Sequence, residues 1–302
     1  MRFAIETWAP EYGAATDPEL PETGATVDAE IERDLDGWAP ITPPSLGGVP
    51  ERILFTDGVR RVDAQVWIED GAASCPGICA TYAAGAVLCD GRAEVVSAEV
   101  RRGLFTAAPQ AEGIMCRHVS YPVRSAPSGD PDVLSLALQQ RMGELEITLA
   151  AAHDAPLVIV DGPLRGRQSV PGAVGYIKTH HVSYLQGAQE GVVAALGAGQ
   201  RTPVFLMMSS WSRFSWYLRL PGSIGHPWAG VVRCEASADH ETSDVIELAD
   251  AVAAALPRFS SKPHKDPRAP QNLYPIAGLD RELRRRLGDA ALLYRDLRVA
   301  AA

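Results

Sequence analysis

The run LVIVDGPL, from Leu157 to Leu164, constrains the fold of this 302-residue chain more than any other stretch. It is a near-continuous apolar segment that stops at Asp161-Gly162. A strand apolar on both faces belongs in the interior of a sheet, with layers covering it on either side. Just before it, Asp130 to Ala152 places Leu134, Leu136, Leu138, Met142, Leu145 and Leu149 at helical spacing. That spacing reads as an amphipathic helix, with Asp130-Pro131 as its start. Earlier still, Ile53 to Phe105 reads as strand after strand: Ile53–Phe55, Val62–Ile68, Gly77–Tyr82, Gly85–Cys89 and Glu94–Phe105. Turn signals at Thr56-Asp57-Gly58, Glu69-Asp70-Gly71 and Cys89-Asp90-Gly91 separate them, which suits an antiparallel meander. Meander, helix and buried strand together make a mixed α/β domain.

Beyond the buried strand, Val174–Ile177, Val204–Met208, Ser215–Leu220 and Gly230–Cys234 read as further strands. Helices are expected around Gln186–Leu196 and Ser243–Leu256. The polar, Pro-rich stretch 259–272 (FSSKPHKDPRAPQN) reads as a connector to a final charged helix, about Leu279 to Val299. Residues 1–50 are rich in Pro, Gly and acids and carry two WAP tripeptides, at Trp8 and Trp38, with a short acidic helix expected over Asp28–Gly37. The expected organisation is an irregular arm over 1–50 and one domain over 51–302.

Composition narrows the functional classes. With 46% hydrophobic and 22% charged residues the chain is ordinary for a globular protein. No run approaches the roughly eighteen apolar residues of a membrane span. The N-terminal MRFAIETWAPEYG has acids where a signal peptide has its apolar segment, so a cytoplasmic protein without membrane contact is expected. The five cysteines, Cys75, Cys79, Cys89, Cys116 and Cys234, form no regular framework and are expected to be reduced. A net charge of −9 argues against bulk electrostatic binding of nucleic acid, though not against a local contact.

Two apolar segments end in the same device, Phe55-Thr56-Asp57-Gly58 and Ile159-Val160-Asp161-Gly162, and the helix between them carries Glu144 and Glu146. Each Asp-Gly alone reads as a plain turn. Two strand-borne aspartates with a helix-borne glutamate also form the oxygen-ligand set that suits Mg²⁺ or Mn²⁺ in phosphodiester hydrolysis. The order of these elements is that of a ribonuclease-H-like core. No Walker-type phosphate loop is present, so ATP hydrolysis would fall to a partner.

The set FTDGVRR, QQRMGELEI, VIVDGPL, VGYIKTHH and VVRCEAS resembles the NurA family of DNA nucleases, in order and approximate spacing, over about residues 50–300. The resemblance implies a ribonuclease-H-like core and a Mn²⁺-dependent nuclease that cuts single- and double-stranded DNA. It further implies a homodimer docked on HerA, a hexameric ATPase, in DNA end processing or defence. Residue by residue, it implies Asp57 and Asp161 as strand-borne metal ligands. Glu144, three residues after Arg141, would be the helix ligand, with Glu146 the alternative. Lys178 in VGYIKTHH would contact the scissile phosphate. The family's Tyr-Pro is present as Tyr274-Pro275, but the histidine expected about eight residues on falls near Glu282, and no histidine follows His264. Either Asp280 or Glu282 substitutes as an oxygen ligand, or this edge of the site is altered.

The remaining candidates carry two readings each. Arg60 and Arg61 read as phosphate contacts or as a solvated turn. His180 and His181 lie on opposite faces of an extended chain, so at most one joins the site, and His180 is the candidate DNA contact. Arg233 and Glu235 share a strand face, as part of the site or as a buried ion pair. Arg281, Arg284, Arg285 and Arg286 make a basic patch that lines a DNA channel or a solvated helix face. The aromatic run SSWSRFSWYLRL stacks unpaired bases or builds a core strand. Two other functions remain open: a catalytically weak adaptor of a HerA-like ATPase, and a metal phosphoesterase acting on small substrates.

Overall fold

The structure is a computed structural model that describes residues 25–44, 49–70, 73–179, 184–222 and 228–301. In chain order the strands are β1 (Thr26–Asp28), β2 (Ile53–Asp70), β3 (Ala73–Asp90), β4 (Arg92–Thr106), β5 (Ile114–Met115), β6 (Ser120–Tyr121), β7 (Val123–Ser125), β8 (Leu157–Asp161), β9 (Ala173–Ile177), β10 (Phe205–Met208), β11 (Ser212–Arg219) and β12 (Val231–Ser237). The helices are α1 (Pro131–Ala151), α2 (Ala188–Ala195), α3 (Thr242–Ala255), α4 (Tyr274–Arg286) and α5 (Ala290–Ala300). This is the α/β class, with a mixed sheet and flanking helices. The chain divides into two compact units: residues 1–55, 88–93 and 155–277, and residues 56–87, 94–154 and 278–302.

In the first unit the strands lie in the order β1-β10-β11-β12-β9-β8. Only the β8–β9 pair is parallel, with Asp161 opposite Tyr176; the other four pairs are antiparallel. The run that opened the sequence argument is β8, and Leu157 to Val160 are all buried. One core cluster joins Val193 of α2 to Phe205, Met207, Tyr217 and Val231. The aromatic run therefore builds core: Phe214, Trp216 and Tyr217 are buried along β11. The N-terminal arm is tied to this unit rather than loose. Strand β1 pairs with β10, and Trp38 donates its indole N–H to the Ala29 carbonyl at 2.8 Å. The acidic helix expected over Asp28–Gly37 shrinks to one 3-10 turn, Leu35–Gly37, capped by Asp34. The first WAP tripeptide lies outside the described residues.

The Pro-rich stretch 259–272 is packed, not a loose connector. Asp266, Gln271 and Asn272 are buried. Asn272 donates to Asp266 Oδ2 at 2.6 Å, and the Tyr176 hydroxyl donates to the Gln271 carbonyl at 2.6 Å. Polar composition suggested an exposed linker because it does not reveal which polar groups satisfy one another.

In the second unit the order is β2-β3-β4-β7, with β4 and β7 parallel. Strand alternation sorts β3 between two cores. Ile78, Ala80, Tyr82 and Ala84 meet Leu134, Leu138, Met142 and Leu145 of α1. On the other side Cys79 packs with Leu104, Tyr121 and Leu297 of α5. Helix α1 starts where its sequence signals it, with Asp130 accepting from the Asp132 N–H at 3.0 Å and Pro131 in the first turn, where its missing N–H costs nothing. The hairpin at Asp90-Gly91 also forms, with Gly91 at φ +69°.

Two expectations about continuity are corrected. Asp57-Gly58 does not end a strand: β2 runs unbroken for 18 residues from Ile53 to Asp70. Conversely, the single helix expected over Leu279–Val299 is two, because Gly288 at φ +84° closes α4 and Asp289 caps α5 by accepting from the Leu292 N–H at 3.0 Å.

Candidate functional site

In the first unit, burial of β8 holds Asp161 rigidly at its end, and Gly162 turns the chain at φ +100°. Gly162 and Tyr176 exchange backbone hydrogen bonds at 2.9 and 3.0 Å, which fixes the turn against β9. One residue past β9, Lys178 donates from Nζ to Asp161 Oδ2 at 2.6 Å, the two side chains being 9% and 15% exposed. The other oxygen, Asp161 Oδ1, is buried and has no hydrogen-bond partner. Buried carboxylate oxygens are ordinarily satisfied, so this one marks a place prepared for a donor or a cation.

The turn has support from behind. Glu235 of β12 accepts from the Leu164 N–H at 3.1 Å, from Arg213 Nε at 2.9 Å and from an Arg233 terminal nitrogen at 3.0 Å. All three charged side chains are buried, and the Arg233 guanidinium also lies 4.7 Å from the Tyr184 ring centroid. Arg233 is thus held inside the sheet and is not a DNA contact; of the two readings of Arg233 and Glu235, the buried ion pair is the one realised. His180 and His181 lie outside the described residues.

In the second unit, α1 turns Glu146 inward and Glu144 outward. Glu146 is 3% exposed. A Cβ built on Gly58 would overlap Glu146 Oε1 and come within 2.9 Å of Met142 Cγ, so the bare backbone of β2 is what admits that carboxylate. Glu144 has a 59% exposed side chain and pairs with Arg141 at 2.8 Å. The R-x-x-E spacing that singled out Glu144 describes a surface i,i+3 pair, and the glutamate turned toward β2 is Glu146. Asp57 is buried and accepts from the Gly58 N–H at 2.8 Å. Alternation sends Asp57 to the face of β2 away from Glu146.

Arg60 is half-buried on β2. Arg61 is engaged internally: its Nε donates to Asp63 at 2.8 Å and a terminal nitrogen donates to the Gly288 carbonyl at 2.9 Å. It therefore caps the C-terminal end of α4, where a cation is favoured, and is not a phosphate contact. Asp63, which the sequence reading passed over, also accepts from the hydroxyls of Thr81 and Tyr121. Only its alternation with Arg61 along one strand face hinted at this network.

On α4, Arg284 pairs with Asp280 at 2.9 Å, while Arg285 and Arg286 pair with Glu282 at 2.9 and 2.7 Å. Those hydrogen bonds hold the exposed Glu282 carboxyl down at about 2. Asp280 and Glu282 serve their own helix's arginines, and Tyr274 opens the helix with Lys265 5.8 Å from its ring centroid. Two further buried pairs escaped the sequence reading: Arg201 with Glu32 and Asp250, each at 2.7 Å, and Asp296 with His118 at 2.5 Å.

Among the described residues, no three His, Cys, Asp or Glu side chains gather into a metal-holding group. The fit to a hard divalent ion therefore rests on the donor chemistry of Asp161, which presents one unpartnered carboxylate oxygen beside a cationic side chain. All five cysteines are free thiols, and burial pushes the Cys89 thiol up to about 11. No helix among the described residues is long and apolar enough to cross a membrane. No protein-family model matches the chain, and no curated protein matches it.

Proposed function

We propose that this chain is a divalent-metal-dependent deoxyribonuclease of the NurA type, built on a ribonuclease-H-like core and acting in the cytoplasm as a homodimer with a HerA-type hexameric ATPase. The observation that carries the reading is Asp161: a carboxylate at the end of a buried strand, one oxygen held by Lys178 and the other buried without a partner. The ordered sequence motifs quoted above supply the rest of the support.

In this reading Asp161 Oδ1 offers a hard oxygen ligand to Mn²⁺ or Mg²⁺. When bound, such an ion polarises a phosphoryl oxygen and makes water a stronger nucleophile at neutral pH. The chain's own residues position and neutralise. Strand β8 and the Gly162 turn keep Asp161 from swinging, which favours a fixed attack geometry. The Lys178 ammonium lies where it can neutralise a phosphate oxygen as charge develops. Glu146 and Asp57, in the other unit, are the carboxylates assigned to the same reaction.

The test is cleavage of end-labelled single- and double-stranded DNA with Mn²⁺, with Mg²⁺ and with EDTA, for the wild type, Asp161→Asn and Asp57→Ala. Metal-dependent cutting that disappears in Asp161→Asn is the expected outcome. One structural feature favours the second reading, an adaptor of a HerA-like ATPase: Asp280 and Glu282 are engaged by arginines of their own helix. Absence of cutting with either metal, with a HerA-type ATPase added, decides for the adaptor.

A further inference from the structure

We infer that Lys178 sets the cation affinity of Asp161, acting as its resident counter-ion until an anionic phosphodiester draws the ammonium away. The inference rests on the metal-dependent reading above and concerns how that site is regulated. Three observations carry it. The ammonium sits 2.6 Å from Asp161 Oδ2, and both side chains are largely shielded from water. The second oxygen of the same carboxylate is buried and unpartnered. The backbones of the pair are fixed, because Asp161 ends β8 and Tyr176, two residues before Lys178, is anchored through its hydroxyl to Gln271.

The consequences follow from electrostatics. With Lys178 in place the carboxylate is already neutralised, so a divalent cation arriving at Oδ1 meets an ammonium on the same group in a setting that screens poorly. That repulsion weakens cation binding. The lysine stem is flexible and its backbone is not, so the ammonium gives up Asp161 only by swinging toward another anion. A phosphodiester oxygen is such an anion. Substrate binding then removes the repulsion, and by linkage the cation and the phosphodiester each raise the affinity for the other. Loading of the site with a cation is thereby tied to the presence of substrate.

The experiment measures Mn²⁺ binding, by electron paramagnetic resonance of the free ion and by calorimetry, on the full chain. The variants are wild type, Lys178→Gln, Lys178→Met and Asp161→Asn, each with and without a phosphorothioate oligonucleotide that resists cleavage. Glutamine keeps a donor for Oδ2 without the charge, and methionine keeps only the apolar stem, so either variant that folds serves. Without oligonucleotide, both lysine variants are expected to bind Mn²⁺ about tenfold more tightly than wild type. Oligonucleotide is expected to tighten wild type toward the variants and to leave the variants little changed. Equal or weaker binding in the lysine variants overturns the inference, as does a wild type whose Mn²⁺ affinity ignores the oligonucleotide. Failure of the underlying reading looks different: Mn²⁺ binding unaffected by Asp161→Asn places the ion elsewhere, whatever the lysine variants do.

Discussion

At Asp161-Gly162 the backbone turns at φ +100° and the strand ends; at Asp57-Gly58 the same dipeptide lies inside an 18-residue strand. The sequence contexts are close, each an apolar run followed by Asp-Gly, yet the glycines answer different needs. Gly162 supplies a backbone conformation that side chains rarely adopt, and a Cβ there would meet nothing within 4 Å. Gly58 keeps an extended backbone and supplies space, because the Glu146 carboxylate and the Met142 side chain occupy the volume a Cβ would need. The lesson is that Asp-Gly encodes a permission and not a turn. Whether the chain uses it for curvature or for close approach depends on what packs against it.

The comparison can be broken in four ways. The largest effect is expected from Glu235→Ala, which strands the buried Arg213 and Arg233 and frees the Leu164 N–H behind the Asp161 turn. Chemical denaturation should show a loss of about 3–5 kcal/mol, the usual result of removing one partner from a buried ion pair. A midpoint shift worth under about 1 kcal/mol would mean that the turn stands without Glu235.

Next comes Gly58→Val, expected to cost about 3 kcal/mol through overpacking against Glu146 and Met142. The sharper version is a double-mutant cycle. Gly58→Ala in a Glu146→Ala background should cost clearly less than in wild type, since the overlapping carboxylate is gone. Strict additivity would show that the glycine is not there for Glu146.

Gly162→Ala should cost less, about 1–2 kcal/mol, the penalty for forcing a Cβ into positive φ with no steric clash added. Here a Glu146→Ala background should change nothing, because the two positions are energetically independent. Coupling between them would break the distinction between a conformational and a steric glycine.

The smallest effect is expected from Glu282→Ala. The carboxylate is exposed and serves Arg285 and Arg286 of its own helix, so the melting temperature should stay within error of wild type. Mn²⁺ affinity should also be unchanged, and a large loss of it would restore Glu282 as an oxygen ligand.

Several of the fold's decisions were written locally. Asp130-Pro131 starts α1 because a short polar side chain satisfies an orphan N–H and proline has none to lose. Asp90-Gly91 makes a hairpin because glycine takes the positive φ. The Leu287-Gly288-Asp289 signal that splits the C-terminal helix was equally local, a C-terminal glycine followed by an N-cap, and the run of charged helix formers around it concealed the break. The ionic partners were not local. Arg61 and Arg233 looked like surface cations beside an acidic site, but an arginine's sequence neighbours do not reveal which carbonyl or carboxylate it meets some 30 or 200 positions away. Their engagement with Gly288 and with Glu235 and Tyr184 came from strand pairing and helix docking.

By itself, then, the sequence determined where backbone conformation changes: the buried strand from its apolar run, the first turn of α1 from its cap, the hairpin from its glycine. These rest on interactions spanning a few residues, whose energies the local sequence contains. Only the tertiary structure decided which of two glutamates on α1 turns inward, which Asp-Gly bends the chain, and which carboxylate oxygen is left without a partner. Those outcomes depend on the rotation of a helix against a strand and on pairing between distant segments, and burial there raises the cost of each unsatisfied group.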